Sequence, residues 1–67
     1  MIGEWVRDCD GGWSAMVPVG RIRRGVHVWP VAGRRWMAAT VGILPRRSGP
    51  HDSRAAAQDA AERMAAA

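Results

Sequence analysis

The sequence predicts an α+β domain: an antiparallel sheet of three or four strands, built from two hairpins, with one C-terminal helix packed on one face (βββα or ββββα). Three observations predict it: an Asp-Gly turn signal, a second glycine-centred turn between β-rich stretches, and an alanine-rich segment with helical spacing. The 67 residues suit a single domain, 1–67, at most. We assign a hairpin to 4–19, a hairpin to 25–41, a linker to 42–51 and a helix to 52–66.

The first hairpin comes from "EWVRDCDGGWSAMVPV". Asp10-Gly11 is a strong signal for a two-residue turn, which would place Val6 opposite Ala15. Alternate residues of the second strand then share one apolar face: Trp13, Ala15, Val17 and Val19. The next segment, "GRIRRG", is interpreted as a loop or a bulged extension of a strand.

The second hairpin turns near Ala32-Gly33, and its register has two alternatives. A two-residue turn at these positions puts Trp29 across from Trp36, whereas a three-residue turn ending on Gly33 puts Trp29 across from Arg35. We favour the first alternative, because a cross-strand aromatic pair adds stability beyond its buried area.

The linker "ILPRRSGP" is rich in residues that break regular structure, and Ile43 and Leu44 are expected against the edge of the core. In the helix, Asp52 or Ser53 can cap the free amide groups. One apolar stripe follows helical spacing: Ala57, Ala60, Ala61 and Met64. Such a smooth face can approach a sheet closely, and two or three of the four tryptophans would then supply most of the core volume.

Positive charge is concentrated in the middle of the chain. Residues 11–51 contain seven arginines and no acid, a charge of +7 within a net charge of +4. We call these the central arginines: Arg21, Arg23, Arg24, Arg34, Arg35, Arg46 and Arg47. They come from three connecting segments, so we expect a basic stripe along the open face or edge of the sheet rather than one compact patch.

This layout favours a small, non-enzymatic, basic binding module that contacts DNA, RNA or a nucleoprotein. The planar guanidinium binds phosphate bidentately, and an exposed Trp29 or Trp36 could stack on an unpaired base. The alternative is a protein-interaction module, such as a phage-type inhibitor or accessory subunit that binds an acidic surface of a host protein complex. Arginine and tryptophan are both favoured at the hot spots of such interfaces.

Other classes have little support in the sequence. There are no paired carboxylates, phosphate loop or catalytic constellation, so no enzymatic activity is expected. Cys9 and the two histidines lack metal-ligand spacing, so neither a metal nor a cofactor is expected, and Cys9 is interpreted as structural. A lone thiol and the lack of a long apolar run suggest a cytoplasmic protein without membrane contact. The thin core also suggests self-association.

Three stretches resemble known families. The order of strands followed by one helix resembles the DNA-binding domains of some integrases, which read DNA with a β-sheet. "SGPHDSRAAAQDAAERMA" is similar to the final helix of double-stranded RNA-binding domains, although their first helix is missing here. "VWP", "RRW" and "GPHDSR" together resemble MbtH-like proteins, partners of peptide synthetase adenylation domains. In size and composition the chain also resembles accessory proteins of phages.

Overall fold

A computed structural model describes residues 4–42 and 44–67 as an antiparallel sheet with one helix packed on one face. The elements are β1 (Val6–Arg7), β2 (Trp13–Val19), β3 (Ile22–Val31), β4 (Arg35–Val41), β5 (Arg47–His51) and α1 (Arg54–Ala66). The sheet has five strands in the order β1-β2-β3-β4-β5. The predicted α+β class is therefore confirmed, with more strands than the predicted three or four.

The first hairpin has a loop of three residues, so the predicted register was wrong. Asp8 N donates to Gly12 O at 2.7 Å, which leaves residues 9–11 as the loop. Gly11 ends it with φ 90°, the left-handed backbone that a three-residue hairpin loop requires. Val6 consequently pairs with Ser14 instead of Ala15, and its side chain moves to the other face of the sheet.

The second hairpin also has a three-residue loop, and neither predicted register is present. Val31 pairs with Arg35, and the loop 32–34 contains two successive residues with positive φ, Gly33 at 78° and Arg34 at 61°. Trp29 therefore pairs with Met37, while Trp36 pairs with Pro30. Because side chains alternate along a strand, Trp29 and Trp36 lie on opposite faces of the sheet.

Two further segments are more regular than predicted. Val19 pairs with Ile22 around a two-residue turn, so "GRIRRG" continues directly into β3 without a bulge. The second half of the predicted linker 42–51 forms β5, which pairs with β4. Leu44 is 81% exposed, contrary to its expected place at the core edge, and Ile43 lies outside the described residues.

The core lies between the helix and the inner face of β2–β4. Three helix alanines, Ala57, Ala61 and Ala65, are fully buried there. The largest fully buried side chains are Val26 and Val28, so the centre of the core is built from small residues. The predicted stripe is thus present, but its partly buried members, Ala60 and Met64, lie beside the core.

Three tryptophans surround this centre instead of filling it: Trp5, Trp13 and Trp36, each partly buried against the core. The Trp5 indole Nε1 donates to Glu62 Oε1 at 3.2 Å, and the Arg54 guanidinium lies 4.4 Å above the Trp13 ring. Ser53 caps the start of the helix, and its hydroxyl accepts from Ala56 N at 3.1 Å. The expected pair of Asp59 and Arg63 is present at 3.1 Å.

Gly12, just before β2, and Gly25, within β3, provide a matched test of this packing. A Cβ built at Gly12 would lie 2.7 Å from the backbone oxygen of Val28, whereas at Gly25 the nearest atom is Val41 Cβ at 3.4 Å. We expect Gly12→Ala to lower the free energy of unfolding by about 2 kcal/mol. Gly25→Ala should leave it unchanged or raise it by up to about 1 kcal/mol. Urea unfolding of both variants checks this, and equal stabilities would contradict the close approach at Gly12.

Candidate nucleic-acid interface

The face of the sheet opposite the helix is open, and four of the predicted site residues lie on it. The pairing of the strands places Arg23 and Trp29 of β3, Arg35 of β4 and Arg47 of β5 on this open face. The three arginines are exposed, and Trp29 is partly buried. The antiparallel sheet thus presents the Trp29 indole with guanidinium groups on the same side.

The structure does not bring the other predicted site residues to this face. Arg24 pairs with the buried Val17, and Trp36 packs against the core, so both lie on the helix side. Arg21 and Arg34 are exposed in the two turns at opposite ends of β3, and Arg46 precedes β5. The central arginines therefore do not form one patch, as their origin in three segments suggested.

A column of stacked groups crosses the middle of the open face. The His27 and Trp29 rings have centroids 5.2 Å apart and planes inclined by 17°. The Arg47 guanidinium carbon lies 5.9 Å from the centroid of the Trp29 ring. We call His27, Trp29 and Arg47 the stacked column. Its planar groups come from β3 and β5, which β4 separates in the sheet.

A polar cluster fixes the His27 end of the column. Ser14 Oγ donates to Asp8 Oδ2 at 2.8 Å and lies 3.1 Å from His27 Nδ1. The same Asp8 oxygen lies 3.1 Å from His27 Nδ1. Because both oxygens meet one ring nitrogen, the cluster differs from a Ser–His–Asp relay, which uses the two ring nitrogens separately. These contacts hold the imidazole where it stacks on Trp29.

Sequence reasoning missed Asp8 and Ser14 as members of the site. The two-residue turn predicted at Asp10-Gly11 put Ser14 on the wrong partner in β1. No local signal separates the two registers, because Gly11 can supply the positive φ of a two-residue turn or close the three-residue loop 9–11. Cys9, interpreted as structural, is instead exposed in this loop.

The charges on the open face are distributed asymmetrically. Asp8 and Asp10 lie towards β1, and a groove of about 380 Å³ beside the column is lined by Asp10, His27, Trp29 and Pro30. Arg35 and Arg47 lie on the β4–β5 side. Across residues 4–42 and 44–67, the central arginines have no carboxylate within 4.0 Å, since the only guanidinium–carboxylate pair joins Arg63 to Asp59. These cations are therefore free for an external anion.

The central arginines fall into two groups along β3. Arg23 precedes Trp29 by six residues on the strand, a separation of about 20 Å at about 3.3 Å per residue. Arg35 is paired with Val31, two residues beyond Trp29, so it lies within about 7 Å along the strand direction. Of the three arginines on the open face, Arg35 and Arg47 are therefore the two close enough to act together with the Trp29 ring.

Within the described part of the chain, no three His, Cys, Asp or Glu side chains are grouped to hold a metal ion. The described helix, at 13 residues, is too short to cross a bilayer. Comparison with family models, with curated proteins and with solved structures gave no match.

Proposed function

We propose that this protein binds single-stranded nucleic acid on the open face, with a base stacked on Trp29 and phosphates held by Arg35 and Arg47. The observation that carries the proposal is the stacked column: an indole on the open face of the sheet, with an unneutralised guanidinium 5.9 Å from its centroid. Base–aromatic stacking combined with nearby cations is how sequence-tolerant single-strand binders work.

The magnitudes favour a base over Arg47 as the partner of the Trp29 ring. An exposed cation–π contact contributes about 0.5–1 kcal/mol, whereas stacking a base on an aromatic side chain contributes about 1–3 kcal/mol. A base can therefore displace the guanidinium of Arg47 from the ring. The displaced guanidinium then stays on the same face, where it can bind the adjoining phosphate bidentately.

The aspartates on one side of the open face determine which side the phosphate chain of the nucleic acid would follow. Asp8 and Asp10 border the column on the β1 side and would repel phosphate there. The phosphate chain is therefore expected along β4 and β5, past Arg35 and Arg47. A narrow single strand fits this asymmetric surface, whereas a duplex would bring a second phosphate chain towards the two aspartates.

Salt dependence tests the proposal. We expect a labelled oligothymidylate to bind at low salt, with log K falling against log salt by about 0.7 for each phosphate neutralised. Arg47→Gln and Arg35→Gln should each flatten that slope by about 0.7. Arg63→Gln is the matched control, because Arg63 is paired with Asp59 on the helix. Fluorescence anisotropy at several salt concentrations measures all four proteins.

Three results would contradict the proposal: no binding at low salt, equal flattening by the Arg63→Gln control, or tighter binding of a duplex than of the single strand. A protein-interaction role is the second candidate function. It is favoured by exposed apolar side chains elsewhere on the open face, namely Val6, Met16 and Val41.

A further inference from the structure

The open face has an apolar half, which adjoins the polar cluster of Asp8, Ser14 and His27. Val6 is 62% exposed, Met16 45% and Val41 60%. Met16, Gly25 and Val41 form one row across three adjacent strands, and Val6 of β1 pairs with Ser14 in the neighbouring row. Exposed apolar side chains gathered on one part of a surface favour an interaction site there.

The shape of the apolar half combines ridges with a hollow. Gly25 has no side chain, and the side chains of Met16 and Val41 stand on either side of it. Beside Met16 lies a groove of about 460 Å³, lined by Glu4, Val6, Asp8, Ser14, Ala15, Met16 and Arg23. A flexible methionine next to a groove can insert into the equivalent groove of a second molecule, because its unbranched thioether side chain adapts to irregular gaps.

The charges around the groove are of both signs. Glu4 and Asp8 border it on the β1 side, and Arg23 borders it on the β3 side. In the part of the chain that the structure describes, Arg23 is not within 4.0 Å of either carboxylate. The two carboxylates would repel an acidic partner, and Arg23 would repel a basic partner. A second copy of the same surface, turned by a two-fold axis, offers opposite charge to both.

We propose that two copies of this chain associate through the apolar half of the open face, in a two-fold symmetric dimer. Met16 lies near the axis, and Arg23 of each copy faces Glu4 of the other. A standard interface covers roughly a tenth of the surface of a small protein, and the whole surface here is 4783 Å². So small an area fits a reversible dimer rather than an obligate one.

The proposal does not depend on the nucleic-acid proposal. Trp29 is four residues beyond Gly25 on β3, about 13 Å along the strand. An interface centred on the row of Met16 and Gly25 therefore leaves the Trp29 ring outside it, whereas His27, two residues beyond Gly25, lies at its border. Met16→Gln tests the dimer and Trp29→Ala tests the stacking site, so either proposal can fail alone.

Sedimentation equilibrium between about 1 and 300 µM tests the dimer, since reversible interfaces of low area dissociate in the micromolar range. We expect the unaltered chain to dimerise in this range. Met16→Gln should weaken the association at least about tenfold, because it removes apolar contact without adding charge. Arg23→Glu and Glu4→Arg should each weaken it about tenfold, and the double variant should recover to within about threefold of the unaltered chain.

A chain that stays monomeric over the whole range overturns the proposal. A dimer that Met16→Gln and Arg23→Glu leave unchanged also overturns it, because the association would then use another surface. Failure of the double variant to recover overturns the pairing of Arg23 with Glu4. The changed side chains are exposed or partly exposed, and circular dichroism of each variant confirms that the fold is retained.

Discussion

Replacing Trp29 with alanine is expected to weaken the binding of a single-stranded oligonucleotide by roughly 5- to 150-fold, the equivalent of one stacked base at about 1–3 kcal/mol. The indole is the broadest flat surface of the stacked column, and no other aromatic ring among the described residues contacts His27. The fold should persist, because Trp29 lies on the face opposite the helix and is not part of the buried core.

Two controls separate stacking from a general effect. Trp29→Phe keeps an aromatic ring and should retain most of the affinity, since stacking is tolerant of ring type. Trp36→Phe alters a tryptophan on the helix side and should change affinity by less than about twofold. Anisotropy titrations of the three variants measure this. Affinity that is unchanged in a folded Trp29→Ala protein would mean that nucleic acid does not contact the ring.

Replacing Ala61 with leucine is expected to destabilise the fold severely, because the side chain at this position has no room to grow. Ala61 is fully buried between the helix and the sheet. Its Cβ leaves no space for three further carbons, and overpacking of this kind costs about 1–3 kcal/mol, occasionally more. A single core in a chain of this size supplies only about 3–5 kcal/mol. The variant should therefore melt at least about 8 °C lower or fail to fold.

Ala55→Leu is the matched control, because Ala55 is exposed on the same helix. It should shift the melting temperature by no more than about 4 °C, since surface substitutions usually change stability by under about 0.5 kcal/mol. Thermal melts followed by circular dichroism compare the two. If Ala61→Leu and Ala55→Leu have the same melting temperature, the helix does not pack on the sheet as closely as the buried alanines indicate.

The positions of the turns could be predicted from sequence, but their lengths could not. Asp10-Gly11 and Ala32-Gly33 are both within loops, as expected. A glycine supplies the positive φ of a two-residue turn or the final residue of a three-residue loop equally well. The choice depends on which face of each strand is buried, which is a property of the whole sheet. One residue of difference moved Val6 to the open face and separated Trp29 from Trp36.

β5 was missed for a different reason. Its sequence, "RSGPH", contains a glycine and a proline, which local propensity assigns to a turn or linker. An edge strand tolerates proline because only one side of it forms ladder hydrogen bonds. The strand therefore depends on pairing with β4 rather than on its own residues. Without β5, the contact of Arg47 with Trp29 could not be predicted, although both residues were candidates on composition alone.

The helix was the most predictable element, because its cap, its apolar stripe and its Asp59–Arg63 pair are all local patterns. The candidate site was predictable only in composition. Charge counting identified the central arginines, but only the pairing of the strands shows that Arg35 and Arg47 share a face with Trp29. The register of the strands decides which residues are neighbours across the sheet, and composition carries no information about register.

Each strand of this sheet is bonded to the strands that precede and follow it in the chain. Closing such short loops costs little entropy, so each hairpin can form from residues that are close in sequence. This favours rapid folding. The valines of β3 are buried only when α1 packs on the sheet, since that helix supplies the opposing half of the core. During synthesis on the ribosome, the apolar inner face of the sheet is therefore exposed to water and prone to aggregation until α1 emerges.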